Sequence, residues 1–127
     1  MPQPIVHYEI AAKDLGKMSA FYESLLGWKL TSFGPEMGNY NQIDGKQGAV
    51  FGIDGGMYPV TDEGDVPGVR LYANVDSADD YAAKAEALGA KVIVPPMTIL
   101  GGGIRIALFL DPEGNKIGVV ETLAPTP

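Results

Sequence analysis

The chain states one pattern twice, and that repeat limits the folds open to it. Asp14 opens a stretch that runs through Phe21-Tyr22 to Leu26-Gly27-Trp28-Lys29. Asp76 opens a second, which runs through Tyr81 to Leu88-Gly89-Ala90-Lys91. A short alternating apolar run precedes each, Ile5 to Ile10 and Val69 to Val75, and strand-like sequence follows each. Such a repeat implies two similar modules that bury a face against each other. The expected fold class is α+β: two βαβββ modules in tandem, each a strand, a helix and three strands, with helices outside. A small-molecule site is expected in the groove between the modules.

With 127 residues the chain has length for one domain. The expected modules span 4–53 and 67–122, joined by a linker at 54–66 that is rich in Gly, Pro and Asp. In the first module Asp14 reads as a helix N-cap and Gly27 as the helix stop. Met18, Phe21, Tyr22, Leu25 and Leu26 recur at helical spacing, and Phe21, Tyr22 and Trp28 read as packing residues. Trp28 to Phe33 reads as a strand. Tyr40 to Ile43 and Ala49 to Ile53 read as two more, joined by the turn Asp44-Gly45. In the second module the helix is expected over Asp76 to Leu88. Lys91 to Val94 reads as a strand stopped by Pro95-Pro96, and Ile104 to Leu110 and Lys116 to Thr122 are the last strands. Asp111-Pro112-Glu113-Gly114-Asn115 is the turn between them. Gly101-Gly102-Gly103 lacks the Lys-Ser/Thr of a phosphate loop and reads as a turn.

The absence of cysteine excludes disulfides, thiolate metal sites and a cysteine nucleophile. The net charge of −7 carries no basic cluster, so nucleic acid is not an expected partner. The charge serves solubility, or draws a cationic small ligand into an acidic groove. No apolar run is long enough to span a bilayer. No membrane partner is expected, and the composition fits a cytoplasmic protein.

Alternation places side chains on faces. In the first strand Val6, Tyr8 and Ile10 share one side, and His7 and Glu9 the other. In Val69 to Val75, the residues Arg70, Tyr72 and Asn74 share a polar side. Apolar faces are needed against helices, so His7, Glu9, Arg70, Tyr72 and Asn74 are the candidate ligand-binding residues, with Tyr40 and Gln42 as further polar cavity residues. His7 is the only histidine. Glu9 could act on His7 as a buried neighbour or base, or form a salt bridge to Arg70 or Arg105. An inward Arg70 suits a carboxylate or an oxyanion. Ser19 and Ser24 lie on a helix without a partner base, so no catalytic role for serine is argued.

The chain resembles the vicinal oxygen chelate superfamily, which includes glyoxalase I, fosfomycin-resistance proteins, bleomycin-resistance proteins and extradiol dioxygenases. The likeness rests on Val6-His7-Tyr8-Glu9-Ile10, Asp14 with Phe21-Tyr22, and Leu26-Gly27-Trp28. It continues in Val75-Asp76, Ala87-Leu88-Gly89-Ala90-Lys91, and Phe109 with Asp111-Pro112-Glu113-Gly114-Asn115. It runs from about Pro4 to Glu121, and the glyoxalase-like subgroup with His-x-Glu in its first strand is most similar.

The resemblance implies that the curved mixed sheets of the two modules surround a central cavity, lined in the metal-dependent families by up to four metal ligands, one from the first and one from the last strand of each module. They would hold a divalent ion that binds two vicinal oxygens of a substrate. Only His7 matches. Its equivalent is Val69 if Asp76 aligns with Asp14, or Arg70 if one residue is deleted from the helix. The last-strand positions fall at Gly118 and near Gly52, and Glu121 should face away from Gly118. The expectation is therefore a small-molecule-binding protein without a complete metal site and with no cofactor. The alternative is a metal-dependent lyase or isomerase of glyoxalase type, or a dioxygenase, with His7 as one ligand. The resemblance also implies a homodimer.

Overall fold

The computed structural model describes residues 2–46, 52–60 and 67–123. The chain divides into two compact units, one of His7–Val69 and one of Met1–Val6 with Arg70–Pro127. Eight strands and two helices are present among the described residues, an α+β fold.

The unit of His7–Val69 takes β1 (Ile5–Ala12) from His7 onward, which leads into α1 (Leu15–Leu26), followed by β2 (Leu30–Ser32), β3 (Asn41–Ile43) and β4 (Asp54–Pro59). The strands lie side by side in the order β2-β3-β4-β1. β1 and β4 run parallel, with Glu9 opposite Gly56 and Ile10 opposite Met57, while β3 and β4 run antiparallel. Helix α1 begins where Asp14 accepts the Lys17 N–H at 3.0 Å. It ends at Gly27, whose φ of 70° suits a left-handed cap, with its N–H on Glu23 O. The core under α1 joins Ile10, Ala12, Ile43 and Met57 to Tyr8, Leu15, Met18, Tyr22, Trp28 and Leu30. Tyr22 and Trp28 stack at 5.0 Å between centroids. Phe21 does not join them as expected: it stands 52% exposed, with its edge on Tyr22.

Two expectations for this module are corrected. Asp54 to Pro59 is strand β4, not the start of a linker. Its glycines hid it, since Gly55 and Gly56 disfavour an isolated strand. They are accommodated because the rings of Tyr8 and Tyr40 lie where their side chains would be. The expected strand Ala49 to Ile53 falls largely outside the described residues, and Gly52 and Ile53 are not strand. Gly45 and Lys46 are turn, with Gly52 N–H donating to Gly45 O at 2.8 Å and Gly45 N–H to Asp54 Oδ1 at 2.8 Å. Of the expected linker, 61–66 lies outside the described residues.

The second unit takes β5 (Gly68–Asn74) from Arg70 onward, which leads into α2 (Ala78–Ala87), followed by β6 (Lys91–Ile99), β7 (Ile104–Leu110) and β8 (Lys116–Thr122). The order is β5-β8-β7-β6, with β5 parallel to β8. The N-cap of α2 is Ser77, which accepts Asp80 N–H at 3.1 Å, not Asp76. Val75, Ala78, Ala82, Ala107, Phe109 and Val119 are the core under α2. Strand β6 runs through Pro95-Pro96 instead of stopping there. Its register against β7 shifts between Val92 and Val94 and again between Val94 and Met97, and an outer strand tolerates prolines at such irregularities. The Asp111 turn forms as read: Asp111 Oδ1 accepts from Glu113 N and Asn115 N, each at 2.9 Å. Asn115 Nδ2 donates to Oδ2, and these bonds hold the Asp111 carboxyl below its ordinary range.

Candidate functional site

In β1 the residues Tyr8, Ile10 and Ala12 are taken by the core under α1. Alternation then puts His7 and Glu9 on the face of the sheet away from the helix. Their side chains approach to 3.9 Å, Nε2 to Oε2, and both are partly buried. Nε2 also lies 2.9 Å from the Tyr40 hydroxyl. Burial lowers the His7 pKa below its ordinary 6.5, against the opposing pull of the Glu9 and Asp54 carboxylates. A neutral imidazole is the form this environment favours.

Tyr40 enters this face from the segment before β3. Its ring lies parallel to Tyr58 at 6.4 Å between centroids and close to parallel with Phe33 at 6.0 Å. It covers Gly56, the residue opposite Glu9 in β4, so that a Cβ on Gly56 would collide with the ring and its hydroxyl. The sequence offered Tyr40 only as a general polar residue. Its bond to His7 joins residues 33 apart, and no local pattern signals it.

The second unit repeats the arrangement with different chemistry. Aligning the true caps, Ser77 with Asp14, sets Arg70 at the position of His7 and Tyr72 at that of Glu9, with no deletion. The choice between Val69 and Arg70 arose from setting Asp76, instead of Ser77, against Asp14. Tyr72 is 6% exposed, and Arg70 and Asn74 are half-buried. Tyr72 lies opposite Gly118 in β8, and its ring fills the space that a Gly118 side chain would need. The same register moves the last-strand position of the first module from Gly52 to Gly56. Glu121 is turned away from Gly118, because its Oε1 accepts Ala78 N–H at 2.9 Å in the first turn of α2. Arg105, offered to Glu9 by the sequence, is bound by Asp79 through Nε at 2.7 Å and a second nitrogen at 2.9 Å. That pairing lowers the Asp79 pKa.

Repeated βαβββ units with a histidine on the helix-free face of the first strand agree with comparisons to known proteins. The family model of the glyoxalase/bleomycin resistance protein/dioxygenase superfamily matches residues 4–119. The chain belongs to this superfamily. A Mycobacterium tuberculosis protein named "Putative glyoxylase CFP32" is 35% identical over 113 residues, 85% of this chain. The chain spans only 39% of that relative's length. Uncharacterized protein YwbC of Bacillus subtilis is 31% identical over 123 residues, covering 92% of this chain and 96% of the relative. Among solved structures, methylmalonyl-CoA epimerase from Mycobacterium tuberculosis superposes with a TM-score of 0.65 at 20% identity, covering 94% of this chain and 88% of that one. That similarity speaks for the fold.

The superfamily's metal-dependent branches raise the question of a divalent ion. Of the four register positions only His7 carries a ligand side chain. Arg70 is a cation, and Gly56 and Gly118 carry no side chain, with tyrosine rings over both. Among the described residues no group of three or more His, Asp or Glu stands close enough to hold a metal ion. This donor set does not fit a tightly held first-row metal, which needs three or four N, O or S ligands from the protein.

Proposed function

We propose that this superfamily member binds a small organic molecule through the helix-free faces of its sheets, without a complete metal site. His7, Glu9, Arg70, Tyr72 and Asn74 are the proposed ligand-binding residues. The observation that carries the reading is the seating of Tyr40 and Tyr72 over Gly56 and Gly118, where the superfamily's metal-dependent members place ligands. Arg70 supplies a fixed cation for a carboxylate or oxyanion. Neutral His7 supplies an imidazole whose Nε2 is shared with the Tyr40 hydroxyl. The proposal includes a cytoplasmic location and a homodimer, and light scattering that gives a monomer at high micromolar concentration contradicts the dimer.

The test is a thermal-shift screen of small carboxylates, phosphonates and aromatic compounds against wild type, His7→Ala and Arg70→Ala. A ligand that binds only the folded form raises Tm by mass action. The expected result is a hit whose shift falls in both variants while their ligand-free Tm stays near wild type. A hit that depends on added Ni, Zn or Mn and disappears with EDTA favours a glyoxalase-type enzyme and overturns the metal-free reading.

A further inference from the structure

We infer that Tyr40 is a positioning residue of the His7 site, seated on Gly56 and joined to the imidazole by its hydroxyl, with Tyr72 on Gly118 filling the same place in the repeat. Three observations carry this. Gly56 and Gly118 are absent from the positive-φ glycines, so the backbone does not require glycine at either position. What requires it is space, because a Cβ on either would run into a tyrosine ring. The two rings also arrive by different routes. Tyr72 belongs to β5 and lies directly opposite Gly118, whereas Tyr40 precedes β3 and reaches Gly56 from outside the first strand. The same place is thus filled twice by unrelated parts of the chain, which a mere echo of the repeat does not explain.

Tyr40 is further held between Phe33 and Tyr58, which fixes the direction of its hydroxyl toward His7 Nε2 at 2.9 Å. A ligand reaching His7 therefore meets an imidazole–phenol pair. It is recognised by hydrogen bonds to this pair, not through two vicinal oxygens on a metal. This last step rests on the small-molecule reading above; the Tyr40 seat does not.

The single histidine makes the test direct, since imidazole ¹⁵N resonances in the full chain come from His7 alone. Tyr40→Phe keeps the ring, so Tm should stay near wild type while the His7 Nε2 resonance moves. Gly56→Ala forces the ring off its seat, and should lower Tm by roughly 5 °C or more and move the same resonance. In a Tyr40→Ala background the Gly56→Ala change should cost less, because the obstructing ring is gone. Unchanged His7 resonances in Tyr40→Phe, or a Gly56→Ala protein with wild-type Tm, would overturn the inference. No ligand is needed for these readouts, so they stand or fall separately from the proposed function.

Discussion

Met57 has no exposed surface and meets the underside of α1, with Ser19 Oγ 3.8 Å from its sulfur. Met57→Ala should destabilise the protein by about 2–5 kcal/mol, the usual cost of emptying such a position, measured by urea unfolding. His7 gives a pH dependence whose sign follows from its burial. Its folded pKa lies below the unfolded value of 6.5. The unfolded chain therefore binds more protons in the interval between the two values, and stability falls as pH drops through that interval. Tm should decline from pH 7 to pH 5 more steeply in wild type than in His7→Gln, in a paired melting series. Parallel slopes contradict the buried, neutral histidine. At this scale much was legible: alternation separates His7 and Glu9 from Tyr8 and Ile10, and the family resemblance singles out Gly118. Tyr40 was not, because its contact with His7 is made by folding across 33 residues.

At the scale of elements, the strands and helices with regular periodicity read correctly, and β7 and β8 agree to the residue. The failures share a cause. β4 is a strand because β1 and β3 pair with it on either side, not because Asp-Gly-Gly-Met-Tyr-Pro prefers to be extended. β6 survives two prolines because β7 pairs with it on only one side and its register slips there. Tertiary pairing outweighed local preference in both. Hydrogen exchange should show the Gly56 and Met57 amides protected to a degree similar to Glu9 and Ile10; exchange at loop rates contradicts β4. The α2 cap is a second check: Ser77→Ala should cost about 1 kcal/mol, while Asp76→Ala should cost little. A larger effect at Asp76 contradicts the Ser77 cap and favours the Val69 alignment.

For the whole molecule, the repeat was the feature that made the architecture readable, since it implied two βαβββ units before any contact was known. It did not reveal the ligand, because the units differ at the proposed ligand-binding positions: His7 against Arg70, and Glu9 against Tyr72. No helix among the described residues is long and apolar enough to cross a membrane. The central claim is that this superfamily member works without a complete metal site, and metal analysis tests it most directly. Protein made without a histidine tag, in medium supplemented with Mn, Fe, Ni and Zn, is dialysed and its metal content measured against wild type and His7→Ala. The account predicts far less than one equivalent of any metal, with no difference between the two proteins. One retained equivalent in wild type, lost in His7→Ala, contradicts it.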